Sequence, residues 1–469
     1  MATVNAKSKK TTGDTYHLVD DNIHFKVADG VKIQSTGSVA VVLTGDNNRI
    51  SVADADIIGK TVGIDFSGFG PKDGTSNGQL TIGKGASIKA DMSAVLADAD
   101  QITMSNAGTL TSKSATAGTL RLTSASADGF VNLTNTGKII NEHKDGYALN
   151  VWSSNISIKN DGKIDGNIQI VLTAHSQSET VKVFDNTGEI LGNITASFSA
   201  KGALLHFVNS GEIKGDLHYL GKLENSGTIT GTIHLKGDSW NSGLIDTSGH
   251  DGLYISTVKF NNWGSIKGEV YLSGQTDHLY QGTNSKSDQI VHGGRQKDSI
   301  FGGTKKDKLF GNDGNDFLSG SSGNDTLEGG EGNDQLFGGA DNDKLYGQGG
   351  KDTLESGTGT DTLDGGEGND LLWVWGTGSK TLTGGEDKDV FSFWSTSDGR
   401  HRITDFEDGL DKIEIHDFDG IDNFNDIKGA LRQDGDDVVL DLGMIGGAGR
   451  VFIEDTDLGV FSASDFIFS

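Results

Sequence analysis

Between Gly293 and Trp373 an aspartate returns every nine residues without a break: Asp298, Asp307, Asp316, Asp325, Asp334, Asp343, Asp352, Asp361 and Asp370. A glycine-rich loop precedes most of them, and two residues after each stands Ile300 or a leucine, from Leu309 to Leu372. The clearest copy is Gly329-Gly330-Glu331-Gly332-Asn333-Asp334-Gln335-Leu336-Phe337. Glycine admits the positive φ angles of a tight loop, aspartate offers a hard oxygen ligand, and leucine turns inward from a short strand. A single aspartate of this kind reads as a solvated turn. Nine in tandem form a row of hard oxygen donors, which is calcium-binding chemistry. The beat is interrupted around Val374-Trp375 and resumes at Gly384-Gly385-Glu386-Asp387-Lys388-Asp389.

The elements that position these loops follow from composition. The chain has 469 residues with 70 glycines and a single proline, Pro71, so glycine and asparagine must make its turns. Helical patterns of useful length are hard to find, which predicts a nearly all-β fold. Ahead of the nonapeptides runs a looser repeat: a strand, an Asn-x-Gly turn and another strand. Its turns begin at Asn106, Asn135, Asn160, Asn186, Asn209, Asn225, Asn241 and Asn262, spaced 16 to 29 residues apart. That period suits one coil of a right-handed parallel β-helix, with coils about 4.8 Å apart and the turn asparagines hydrogen-bonded in a ladder. A β-sandwich with hairpin turns is the alternative. In Ile229-Thr-Gly-Thr-Ile233-His-Leu235 the aliphatic residues point inward and the polar ones outward. The expected order is a polar disordered tail at 1–15, a β-helix solenoid at 16–283, a calcium-binding β-roll at 284–392, and a β-rich cap with an export signal at 393–469. A cap is needed because a solenoid otherwise ends on an open strand edge.

The nonapeptides follow the known GGxGxDxUx signature of calcium-binding β-helices. With Ile403-Thr-Asp-Phe406, Asp411-Lys-Ile413 and the final Asp465-Phe-Ile-Phe-Ser469, they resemble the RTX proteins, and the C-terminal segment resembles the end of the serralysin-type proteases. The resemblance implies a parallel β-roll in which two nonapeptides make a coil and each ion lies between loops eighteen residues apart. One loop supplies carbonyls at its second and fourth positions plus its aspartate. The later loop supplies carbonyls at its first and third positions plus its own. On this chain that implies Asn312, Gly314 and Asp316 with Gly329, Glu331 and Asp334, and Ser321, Gly323 and Asp325 with Gly338, Ala340 and Asp343. The same register brings in Gly330, Gly332, Gly347, Gly349 and Asp352, then Gly365, Glu367 and Asp370, with Asp298, Asp307, Asp361 and Asp389 as further ligands. Nine loops, each paired with the next but one, imply about seven Ca²⁺ sites. Gln296 and Lys305 stand where glycine is expected, so the first two loops should bind more weakly.

Charge and motifs narrow the function. A net charge of -27 repels nucleic acid and anionic membranes. No cysteine is present, which removes disulfides and thiolate chemistry. No apolar stretch suggests a cleavable signal peptide or a membrane span. The RTX resemblance implies the type I secretion machinery as a partner, with Asp465-Phe466-Ile467-Phe468 resembling its uncleaved signal.

For the N-terminal repeats, the HExxH motif is missing, and only Arg49 and Arg121 precede residue 280. His218, His234 and His250 each fall nine residues after a repeat asparagine and could stack in one outward column. Gln169, Thr195 and Tyr271 hold the matching place in other coils, so an exposed polar ladder is expected. Trp152, Trp240 and Trp263 are candidates for sugar stacking, although edge packing is the commoner role. The reading is a secreted, calcium-folded structural or adhesive protein: a surface-layer, matrix or adhesin component that self-associates or holds a cell-surface polysaccharide. The alternatives are a carbohydrate-active β-helix enzyme (lyase, hydrolase or epimerase) and a polysaccharide-binding module.

Overall fold

The computed structural model describes all residues except 1, 8, 12–15, 20–22, 45–46, 67–76, 125–128, 174–181, 199–204, 257–258 and 274–275. The chain forms two compact units, residues 1–251 and 252–469. It is nearly all β and a parallel solenoid, as the composition predicts.

In the first unit each full coil carries three strands, one on each face. Asn155–Asn160, Lys163–Asp165 and Asn167–Leu172 pair in parallel with Lys182–Asn186, Glu189–Leu191 and Ile194–Phe198 of the next coil. Alternation buries Ile156, Ile158, Ile164, Ile168 and Ile170 in the interior. The asparagine ladder forms as expected. Asn106 Nδ2 donates to Asn135 Oδ1 at 2.7 Å, and the chain of bonds continues through Asn160, Asn186, Asn209 and Asn225 to Asn241 at 2.7–2.8 Å. The turn glycine has a steric cause: a Cβ on Gly188 would lie 2.1 Å from the carbonyl oxygen of Gly162 in the coil below.

One expectation needs correction at the N-terminus. Ala2–Asn5 and Lys9–Thr11 are strands, paired in parallel with Ile23–Val27 and Lys32–Ser35. The polar tail pairs through its backbone with the open edge of the first full coil, which requires no apolar side chains. Positions 1, 8 and 12–15 of that tail lie outside the described residues.

The second unit opens with a further three-faced coil, Leu253–Ile255, Lys259–Asn262 and Ser265–Lys267. Beyond it the third face is lost. From Leu279–Gln281 onward the strands alternate between two sheets: Ser299–Gly303 pairs with Phe317–Ser322 on one, and Lys308–Asp313 with Thr326–Glu331 on the other. A nine-residue unit has room for one strand and one loop, so two units close a flat coil. Ile300, Leu309, Leu318, Leu327, Leu336, Leu345, Leu354, Leu363 and Leu372 fill its interior with no exposure.

The strand Lys412–His416 continues one sheet, and Phe466–Phe468 pairs beside it. On the other sheet Arg400–Ile403 pairs with Arg450–Ile453, and two antiparallel pairings with Asp437–Asp441 and Leu431–Asp434 follow. The change from parallel to antiparallel pairing gives the roll a different kind of end. Among the described residues no helix is long and apolar enough to cross a membrane.

Candidate calcium sites along the edges of the roll

The repeat aspartates stand in two columns, one on each edge of the roll. On the first edge the backbone amide of each donates to Oδ1 of the aspartate one coil later: Asp298 to Asp316, Asp316 to Asp334, Asp334 to Asp352 and Asp352 to Asp370, at 2.7–2.8 Å. The second edge repeats the pattern from Asp307 through Asp325 and Asp343 to Asp361, at 2.7–2.9 Å. The first edge runs on, across a wider spacing, from Asp370 to Asp389 and from Asp389 to Asp411.

The second carboxylate oxygen behaves differently. Oδ2 of Asp298, Asp307, Asp316, Asp325, Asp334, Asp343, Asp352, Asp370 and Asp389 is buried without a hydrogen-bond partner. Buried carboxylate oxygens are normally satisfied, so nine orphans in two rows require an explanation. A bound cation is the direct one, because carbonyls stand close by. A Cβ on Gly329 would meet both Asp334 Oδ2, at 2.4 Å, and the Gly347 carbonyl oxygen, at 2.8 Å, and one on Gly347 would meet Asp352 Oδ2 and the Gly365 carbonyl oxygen, each at 2.4 Å. A Cβ on Gly332 would lie 1.6 Å from the Gly314 carbonyl oxygen, and one on Gly314 or Gly323 would lie 2.5 or 2.3 Å from that of Gln296 or Lys305, so both departures from glycine keep the loop path. Among the described residues no three His, Cys, Asp or Glu side chains converge on one point. The donor set is therefore a carboxylate with main-chain carbonyls, all hard oxygens, which suits Ca²⁺.

Burial sets the electrostatics. It pushes the carboxyls of Asp307, Asp316, Asp325, Asp343, Asp352, Asp370 and Asp389 up to about 7, and that of Asp334 to about 6. Desolvation is the main cause for each, opposed by the amide bond to Oδ1. Without a cation these carboxyls keep their protons to a much higher pH than free aspartates do, and a divalent ion favours the ionised form.

The family model for the RTX calcium-binding nonapeptide repeat, in four copies, matches residues 292–327, 319–354 and 346–376. The aspartate columns thus lie in the part of the chain that matches the RTX repeat. A fold comparison also pairs the chain with the extracellular lipase LipA from Serratia marcescens, at 18% identity and a TM-score of 0.18. That alignment covers 44% of this chain and 44% of the lipase. No curated protein matches.

Several residues at the RTX columns escaped the sequence reading. His278 starts the first edge, its amide and Nδ1 both 2.9 Å from Asp298 Oδ1, and the Gln289 amide starts the second on Asp307 Oδ1 at 2.6 Å. Gln289 also accepts at its side-chain oxygen from the turn residue Asn262 at 3.0 Å, so the residue that opens the second aspartate row also holds a repeat asparagine. Asp405 accepts from the amides of Gly384 and Gly385 at 2.9 Å. Asp411 had a visible signal, since Ile413 follows it by two residues as in the repeats.

The expected break at Val374-Trp375 is one extra residue: Leu371–Val374 keeps its place in the sheet, and the next loop ends in Lys380, whose Cα pairs with that of Asp361.

In the first unit Gln169, Thr195 and His218 are register partners, as the ladder reading requires. The His218 and His234 rings lie 5.2 Å apart, whereas His250 is placed 3.9 Å from Asp216. Lys222 covers the Trp240 ring at 4.1 Å, while Trp152 is 45% exposed and, in the second unit, Trp263 is 48% exposed.

Proposed function

We propose that this chain is a secreted protein whose RTX block folds on extracellular calcium, and that it serves outside the cell as a surface-layer, matrix or adhesin component. The observation that carries the calcium part is the double row of orphaned Oδ2 atoms on buried carboxylates. Seven positions follow from the nine loops, and Asp370 and Asp389 add two further Oδ2 atoms of the same kind. At each, the carbonyls and aspartates named above hold the ion, which supplies the positive charge that lets neighbouring coils close. Cytosolic calcium lies well below the affinity of extracellular modules, so the block stays open inside the cell and folds outside. This supports export through a type I channel, with Asp465 to Phe468 as the signal.

The structural role rests on regularity. Short polar faces repeat coil after coil and offer the same groups at a constant spacing, which suits lateral contact with copies of the chain or with a cell-surface polysaccharide. Electron microscopy of the purified chain dialysed from EDTA into millimolar Ca²⁺ tests it. Sheets or fibres that appear only with calcium support assembly, and dispersed folded monomers contradict it.

A second reading has its own observation. The His218–His234 pair, with Asp216 acting on His234, makes a small polar cluster on an outer face. A carbohydrate-active or polysaccharide-binding β-helix would use such a cluster, and binding or cleavage of acidic polysaccharides, lost in His234→Ala, would favour it.

A further inference from the structure

One position in the two columns departs from the rest. Asp361 is the repeat aspartate whose Oδ2 does have a partner: the ammonium of Lys380, at 2.7 Å, with neither side chain exposed. The same nitrogen donates to the carbonyls of Gly357 and Gly359 at 2.8 Å, and more weakly to that of Thr377 at 3.3 Å. Gly357 and Gly359 are the second and fourth residues of loop 356–361, and Thr377 is the third residue of loop 375–380. These are the carbonyl positions that the calcium reading assigns to each ion elsewhere in the roll. Lys380 itself stands at the aspartate position of its loop, in register with Asp361, with Leu382 two residues on as the inward leucine.

We propose that the Lys380 ammonium is a built-in substitute for the last calcium ion of the second edge. The inference rests on the calcium reading above and deepens it. A lysine reaching back from the later loop supplies a permanent positive charge, and its three donors match the Gly357 and Gly359 carbonyls and the Asp361 carboxylate, with the Thr377 carbonyl as a longer fourth contact. The coil formed by loops 356–361 and 375–380 therefore closes without metal. This edge ends in a calcium-independent clasp near the C-terminal end of the roll, while the first edge runs on through Asp389 to Asp411. The clasp gives the incoming calcium-dependent coils one coil that is already shut.

The test is the number of calcium ions bound per full-length chain, measured by equilibrium dialysis with atomic emission at saturating Ca²⁺. Lys380→Asp restores the acidic loop and is expected to bind one ion more than the unaltered chain. If that variant fails to fold, Lys380→Ala serves, because Gly357, Gly359, Thr377 and Asp361 still face the vacated space. It too should gain one ion. An unchanged count in a folded variant overturns the substitution. No bound calcium in the unaltered chain overturns the calcium reading itself, a different result from an unchanged difference. A supporting readout is thermal stability: the midpoint of Lys380→Asp should depend more steeply on calcium concentration than that of the unaltered chain, and equal dependence counts against the clasp.

Discussion

The backbone amide of Asp316 donates to Oδ1 of Asp334 at 2.7 Å, while Oδ2 of Asp334 is buried with no partner. One carboxylate thus has two roles: it joins adjacent coils through the first oxygen and presents the second to a cation. Asp334→Ala removes both. The Asp316 amide is left buried and unpaired, which costs about 1–3 kcal/mol, and a ligand oxygen is lost. The calcium concentration at half-folding should rise roughly tenfold or more, a factor that corresponds to about 1.4 kcal/mol. A calcium titration followed by circular dichroism reads this directly, and an unshifted midpoint would exclude the carboxylate from the site.

The raised carboxyls predict an unusual pH dependence. Their ordinary value is 3.8, and burial lifts most of them to about 7 in the metal-free fold. The metal-free roll therefore holds more protons than the unfolded chain between those values. Its stability is greatest below the ordinary value and is lost as the pH rises through about 7. In EDTA the roll should be more structured at pH 5 than at pH 8. Calcium must displace the same protons, so its binding should weaken as the pH falls and should release protons near neutrality. Calorimetry in two buffers of different ionisation enthalpy measures that release; identical heats would contradict it.

Gly332 sits at a φ of +131°, where a Cβ would meet the Gly314 carbonyl oxygen at 1.6 Å. Gly332→Ala should displace that carbonyl, weaken calcium binding at the coils on either side and lower the thermal midpoint in saturating calcium. A variant with an unaltered titration would show that the carbonyl is no ligand.

The asparagine row gives a calcium-independent control. Asn186 is buried, accepts from Asn160 at 2.7 Å and donates to Asn209 at 2.8 Å. Asn186→Ala breaks both bonds and leaves neighbouring polar groups unsatisfied, a loss of roughly 2–4 kcal/mol. Chemical denaturation in EDTA should show the loss as fully as in calcium.

Much of this was legible in the sequence because each repeat equals a whole coil or half of one, so spacing along the chain becomes stacking in space. The inward leucines, the asparagine ladder and the aspartate columns all follow from that equality. The third face of the first unit was hidden because strands such as Lys163–Asp165 are too short to show a pattern. The pairing of Ala2–Asn5 was hidden because it runs through the backbone. Lys380 was missed because a basic residue at an acidic position reads as the end of a motif. Only the fold brings its ammonium back to Asp361.

Hydrogen exchange at peptide resolution, on the full chain in EDTA and in millimolar Ca²⁺ at neutral pH, tests calcium-driven folding most directly. Amides between Asp298 and Asp352 should exchange rapidly in EDTA and become protected with calcium, while those of the described strands between Asn155 and Asp246 stay protected in both. Equal protection of the aspartate columns with and without calcium would contradict the account.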